Sequence, residues 1–200
     1  MKEFKCRASA AGFLMTNPRS KSETMSETTK TYLQEWLKEQ IFGIRKEIDT
    51  KQIRKGIEFE DMAIDKAIEW LDLPFAVKNT EQFSDDYFTG EPDLLLPDTV
   101  CDIKCSWDLW TLPLFDDEIP TKNHYFQLQV YMHLTGKRKA RLIYVLLNTP
   151  ETPWAMEISY DHVEPKYRIK EFCFDYDLQV IEELQRRVIA AREYINTIIF

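Results

Sequence analysis

The sequence predicts an α/β protein in which a central mixed β-sheet is flanked by α-helices. Three observations carry this. Helical periodicity fills four long segments, 30–42, 51–71, 123–134 and 178–198, and strand-like runs fill the middle of the chain. The two kinds follow one another as two helices, a β-hairpin, a helix, further strands and a closing helix, the order of a sheet covered on its faces. Two hundred residues with 44% hydrophobic and 13% aromatic content supply one well-buried core, so residues 1–200 are read as a single domain.

Taken in order, residues 16–31 are rich in Ser, Thr and Lys and read as a long loop. The helix expected over Lys51 to Leu71 carries the apolar stripe Ile53, Ile57, Ile64, Ile68 and Leu71, and Glu60 falls where that stripe should continue. A carboxylate on a core-facing stripe is costly unless it is bound to a metal or paired with a buried Arg or Lys, and both remain open. Short strands are expected at Phe75 to Val77, Ala155 to Tyr160 and Ile169 to Phe174, with a longer apolar one at Arg141 to Leu147.

The hairpin holds the densest chemistry. Tyr87 to Leu95 and Val100 to Cys105 read as strands joined through Pro97-Asp98, and an even-length loop there sets Asp93 directly opposite Asp102. Side chains alternate along a strand, so Lys104 joins Asp102 on one face while Ile103 and Cys105 point into the core. Two facing acids repel unless a cation lies between them, which is the inner shell of a metal-dependent phosphodiesterase. In the helix at Asn123 to Leu134, Gln127 and Tyr131 stand at i and i+4 on one face, able to position a phosphate or water without adding charge. Gln129 points elsewhere, toward backbone or nucleic acid. The loop from Ser106 to Lys122 carries Trp107, Trp110, Leu112, Leu114 and Phe115, which either stack on bases or fill core.

Net charge of −8 and a pI near 5.0 ordinarily count against a nucleic-acid partner, but acids clustered at a metal site make net charge a poor guide. Arg45, Lys46, Lys51, Arg54 and Lys55 form one basic group, and Lys137, Arg138, Lys139 and Arg141 another; each either tracks a phosphate backbone or is a solvated face. Cys6, Cys101, Cys105 and Cys173 show no CxxC spacing and read as free thiols. Met1 to Cys6 lacks the apolar core of a signal peptide, and the run Leu142 to Leu147 is too short to cross a bilayer. A soluble cytoplasmic protein without membrane association is expected.

Together these residues resemble the PD-(D/E)XK nuclease superfamily, and within it the phage recombination exonucleases of the lambda exonuclease type. Arg7-Ala8-Ser9 with Asn17-Pro18-Arg19-Ser20 is similar to the family's N-terminal segment, in which a serine contacts substrate phosphate. Gly56 to Glu60 is similar to its G-x-x-x-E helix. Glu91-Pro92-Asp93 and Asp102-Ile103-Lys104 match its Pro-Asp and acid-x-Lys strands, and Gln127-Leu128-Gln129 its Q-x-Q helix. The resemblance implies a restriction-endonuclease-like core and a Mg²⁺-dependent deoxyribonuclease, most simply an exonuclease on linear duplex DNA ends in phage-type recombination. It implies one or two Mg²⁺ ions, with Mn²⁺ as substitute, held by Glu60, Asp93, Asp102 and the Ile103 carbonyl. Lys104 then acts on the attacking water, Gln127 and Tyr131 assist, and Arg7, Ser9, Gln129 and Trp107 contact substrate. A single-strand annealing protein and a ring-like homo-oligomer are the partners this family suggests. A helicase-associated or CRISPR-adaptation nuclease, an endonuclease of the same fold, and a non-cleaving nucleic-acid-binding module are the alternatives.

Overall fold

The computed structural model describes residues 2–20, 22–46, 50–73, 75–151 and 156–199, and the backbone alone at 51 and 52. In chain order the elements are β1 (Cys6–Arg7), α1 (Ala11–Leu14), α2 (Glu27–Phe42), α3 (Lys51–Glu58), α4 (Glu60–Trp70), β2 (Phe83–Ser84), β3 (Phe88–Gly90), β4 (Leu94–Leu95), β5 (Thr99–Ser106), α5 (Lys122–Thr135), β6 (Lys139–Leu146), β7 (Ile169–Asp175) and α6 (Leu178–Ile198). The main sheet runs β4-β5-β6-β7, with β5 parallel to β6 and the outer pairs antiparallel; a second small sheet runs β1-β3-β2. The expected mixed sheet with helices on both faces is therefore present.

Alternation along the two central strands sorts the core. Val100, Leu142, Tyr144 and Leu146 face α5, α6 and α2, joined by Leu128, Met132, Leu184 and Val188. Cys101, Ile103, Ile143 and Val145 face the opposite way, onto Ala63, Ile64 and Ala67 of α4. Helix ends follow local chemistry. Ser26 caps α2 by accepting the Thr29 N–H, Thr121 caps α5 through Asn123, and Asp177 caps α6 through Gln179 and Val180. Gly43 closes α2 at φ 67°, a conformation glycine adopts without strain.

Four expectations are corrected. The helix over Lys51 to Leu71 breaks at Phe59, and the isoleucine stripe holds only in its second half: Ile53 and Ile57 are exposed, while Lys55, Ala63, Ile64 and Ala67 are buried and Ile68 and Leu71 pack partly buried against the last three. Lys55 is only 1% exposed because Nζ donates to the carbonyls of Trp107 (2.8 Å) and Leu147 (3.0 Å). A lysine thus occupies a place that a hydropathy pattern assigns to an apolar residue, and the helix is turned accordingly. The expected strand at Tyr87 to Leu95 is two strands in two sheets, separated at Glu91-Pro92-Asp93, since Pro92 has no N–H to give a ladder. Phe75 to Val77 is no strand; Phe75 has φ 64° and is fully exposed. Ala155 lies outside the described residues, and from Met156 to Tyr160 only Ile158 makes a bridge, to Thr149.

Candidate active site

The site is built on β5, which is central and buried, and on the turn into β4. The β4–β5 register pairs Leu94 with Cys101 and Leu95 with Val100, the register expected from the hairpin. Asp93 departs from the ladder: its N–H bonds to the Cys101 carbonyl (3.1 Å), so two residues oppose one as in a β-bulge. Its side chain turns across instead, and Oδ2 accepts the Ile103 N–H at 2.5 Å. Asp93 and Asp102 are therefore neighbours through the β5 backbone rather than a facing cross-strand pair.

Asp102 is 2% exposed. Its Oδ1 accepts from Gln127 Nε2 (3.0 Å), and the same amide donates to the Tyr131 hydroxyl (2.9 Å), so the α5 pair buttresses the strand acid. Gly90 makes room for this: a Cβ there would lie 2.7 Å from the Tyr131 ring and 3.0 Å from the Ala8 side chain. Asp102 Oδ2 is buried without an aligned hydrogen-bond donor, although Lys104 Nζ stands 2.8 Å away as an ion-pair partner. Burial first, and the Asp102 charge second, push the Asp93 carboxyl well above the usual carboxylate range. For Lys104, burial works to lower the pKa, but the charges of Asp102, Asp93 and Glu60 outweigh it and hold the ammonium protonated. Burial likewise raises Tyr131, keeping the phenol that accepts from Gln127 neutral.

An oxygen-only set fits a hard divalent cation: two crowded carboxylates, one with an orphaned buried oxygen, beside the Ile103 backbone. Among the described residues no third acidic, histidine or cysteine side chain joins them at ligand spacing. Glu60 stands at the rim, in the first turn of α4, its side chain 46% exposed and ion-paired with Lys78 (2.7 Å). It is neither core-facing nor paired with a buried base. Its charge nonetheless bears on both Asp93 and Lys104.

The expected substrate contacts lie on different elements. Gln129 is fully buried, donating to the Asp175 carbonyl (2.9 Å) and accepting the Asp177 N–H (2.8 Å), which removes it from any substrate surface. Arg7 lies half-buried in β1 and Ser9 is exposed in the 3-10 turn that packs on α5. Trp107 is half-buried, its carbonyl held by Lys55 and Thr149; beyond it Leu112 fills core while Trp110 and Phe115 are 85% and 90% exposed. His124 and Tyr144 were invisible to motif reasoning. His124 Nδ1 meets the Tyr144 hydroxyl at 2.9 Å, and burial together with the Lys104 charge lowers His124 to about 4, leaving a neutral ring beside the lysine.

This fold and this arrangement of two acids and a lysine resemble those of the PD-(D/E)XK nucleases of the lambda-exonuclease type. Among solved structures, the chain is similar to a phage-related exonuclease from Haemophilus somnus 129PT, 29% identical with a TM-score of 0.86 over 98% of this chain and 95% of that one. It shares its fold with an alkaline exonuclease from Laribacter hongkongensis, alone (17% identical, TM-score 0.73, 96% of this chain and 88% of that one) and in complex with dAMP (18%, TM-score 0.72, the same coverage). No family model and no curated protein matches the chain. Among the described residues, no helix is long and apolar enough to cross a membrane.

Proposed function

We propose that this chain is a divalent-metal-dependent deoxyribonuclease that works as an exonuclease on linear duplex DNA, as part of phage-type recombination. The observation that carries the reading is the buried Asp102 carboxylate, with one oxygen held by Gln127 and the other ion-paired with Lys104, crowded against the Asp93 carboxylate. The similarity to a phage-related exonuclease along nearly the whole chain supports the same reading.

Asp93, Asp102 and the Ile103 carbonyl would hold Mg²⁺, or Mn²⁺ in its place, with Glu60 reaching in from the rim once its pairing with Lys78 opens. Such an ion, when bound, lowers the pKa of water and stabilises charge on attacking and leaving oxygens. The chain's own groups supply the rest. Lys104, protonated, offers donors that orient the attacking water and stabilise the negative charge growing on the phosphoryl oxygens. Gln127, fixed by Tyr131, keeps the Asp102 carboxylate in one rotamer, so no reorganisation is needed as charge develops.

The test is incubation with linear and with covalently closed duplex DNA, each with Mg²⁺ or with a chelator. Loss of linear DNA alone, and only with Mg²⁺, is the expected result. Nicking or linearisation of closed circles selects an endonuclease, and inertness toward both substrates with Mg²⁺ and Mn²⁺ selects a non-cleaving binding module.

A further inference from the structure

Beside the catalytic row lies a cavity that the site described above does not use. In the sheet register Lys104 pairs with Tyr144, and Tyr144 with Lys170 on β7; one step along, Asp102 pairs with Leu142, and Leu142 with Phe172. Cross-strand partners share a face. Lys170 and Phe172 therefore look toward α5, as Lys104 and Asp102 do, two strands or roughly 10 Å further across the sheet. Between this edge strand and the first turns of α5 opens a cavity of about 610 Å³, a size that accommodates a small ligand.

Its walls suit a nucleotide. Phe172 and Phe174 line one side, Tyr125 and Phe126 the other, with Tyr125 edge-on to Phe174 at 5.6 Å. Lys170 Nζ stands 5.2 Å from the Phe172 ring centroid, and Lys122 opens α5 at the same cavity. Among the described residues neither lysine has a carboxylate partner, although Asp117 and Glu118 also line the space, as does Glu171, which is held by Arg141 (3.2 Å). Uncommitted ammonium groups beside aromatic rings are what a phosphate with its attached base requires. The Asp117 and Glu118 carboxylates are acceptors for the exocyclic amine of adenine or cytosine. Tyr144, the register partner of both Lys104 and Lys170, meets His124 of α5 between the catalytic row and the edge strand.

We propose that this cavity binds the nucleotide adjacent to the scissile phosphate on the cleaved strand, its base among the four aromatic rings and its phosphate on Lys122 and Lys170. The assignment rests on the nuclease reading, yet it is tested without cleavage. The probe is dAMP, titrated into the full-length chain in chelator, with affinity from calorimetry and saturation transfer to adenine H2 and H8 by NMR. The parent and Lys104→Ala should bind alike, whereas a Lys122→Gln/Lys170→Gln double variant should bind at least about fivefold more weakly and lose most of the salt dependence. On linear duplex with Mg²⁺ the double variant should show a raised KM at an unchanged kcat. Equal dAMP affinity in the parent and the double variant, or absence of binding in the parent, overturns the site even if DNA is cleaved. Binding with the expected pattern in a chain that cleaves nothing leaves the site standing and removes the nuclease reading instead.

Discussion

Lys104 is held protonated inside a ring of negative charge, which suits a group that donates to water or phosphate and does not suit a base. Lys104→Ala is therefore expected to lower the cleavage rate by at least about 10²-fold while leaving the fold intact, checked by single-turnover kinetics and circular dichroism. Full activity in that variant removes the lysine from the chemistry. Glu60 tests the opposite limit. Its ion pair with Lys78 is half-exposed, a type worth under about 1 kcal/mol, so Glu60→Gln should barely change the melting temperature without metal. If Glu60 reaches the ion, the same variant loses much of the stabilisation that Mg²⁺ gives the parent and most of the cleavage rate. A full Mg²⁺-induced shift with normal cleavage makes Glu60 a surface residue. Strand alternation set Asp102 and Lys104 on one face, the hairpin register set Asp93 near Asp102, and i, i+4 spacing set Gln127 beside Tyr131, because these are local rules; joining the two groups rested on the family resemblance. The sequence misplaced Glu60 because Lys55, capped by two carbonyls, is buried where a hydropathy pattern expects an exposed base. His124 carries no local signal at all: its partner Tyr144 comes from β6, and only the folded sheet brings them together.

At the level of elements, β5, β6, α5 and α6 were legible nearly to their ends, because α6 has an apolar period, β6 is an almost unbroken apolar run, and α5 and α6 begin at capping residues. The short pieces were not. β3 and β4 fall in one strand-like run in the sequence, and the switch between sheets at Pro92 depends on β1, which approaches from more than 80 residues away. Gln129 shows the same limit in a motif. Beside Gln127 in sequence, it turns to the far side of α5 and stitches the end of β7 to the start of α6 through two backbone hydrogen bonds. Gln129→Ala removes the hydrogen bonds of a part-buried carbonyl and a part-buried N–H, at a cost of about 1–3 kcal/mol. Denaturant unfolding should show that loss, while cleavage at low temperature stays within about twofold of the parent. An activity defect without a stability defect would falsify this structural role and return Gln129 to the substrate surface.

The whole molecule carries the strain of its site, and global stability should report it. Asp93 is raised from its ordinary 3.8 to about 7, by burial first and by Asp102 second, so the folded state binds a proton more tightly than the unfolded chain does. A carboxyl raised in this way contributes stability below pH 3.8 and loses it as pH rises through about 7. Asp93→Asn keeps an oxygen to accept the Ile103 N–H and removes the titrating charge. In chelator at pH 8 it should melt higher than the parent, by about 5 °C, with the gap closing toward pH 4. His124 works in the other direction. Lowered to about 4, it resists protonation in the folded state and costs stability between pH 6.5 and 4 in parent and variant alike, so it cancels in the difference. Mg²⁺ should reverse the order at pH 8, because the parent gains stability by binding the ion and the variant, one charged ligand poorer, gains less. Differential scanning calorimetry of both proteins across pH, with and without Mg²⁺, tests the crossing. A variant less stable than the parent in chelator at pH 8 means that Asp93 is held by its hydrogen bond more than it is strained by its neighbour, and that the acidic pair needs no cation to relieve it.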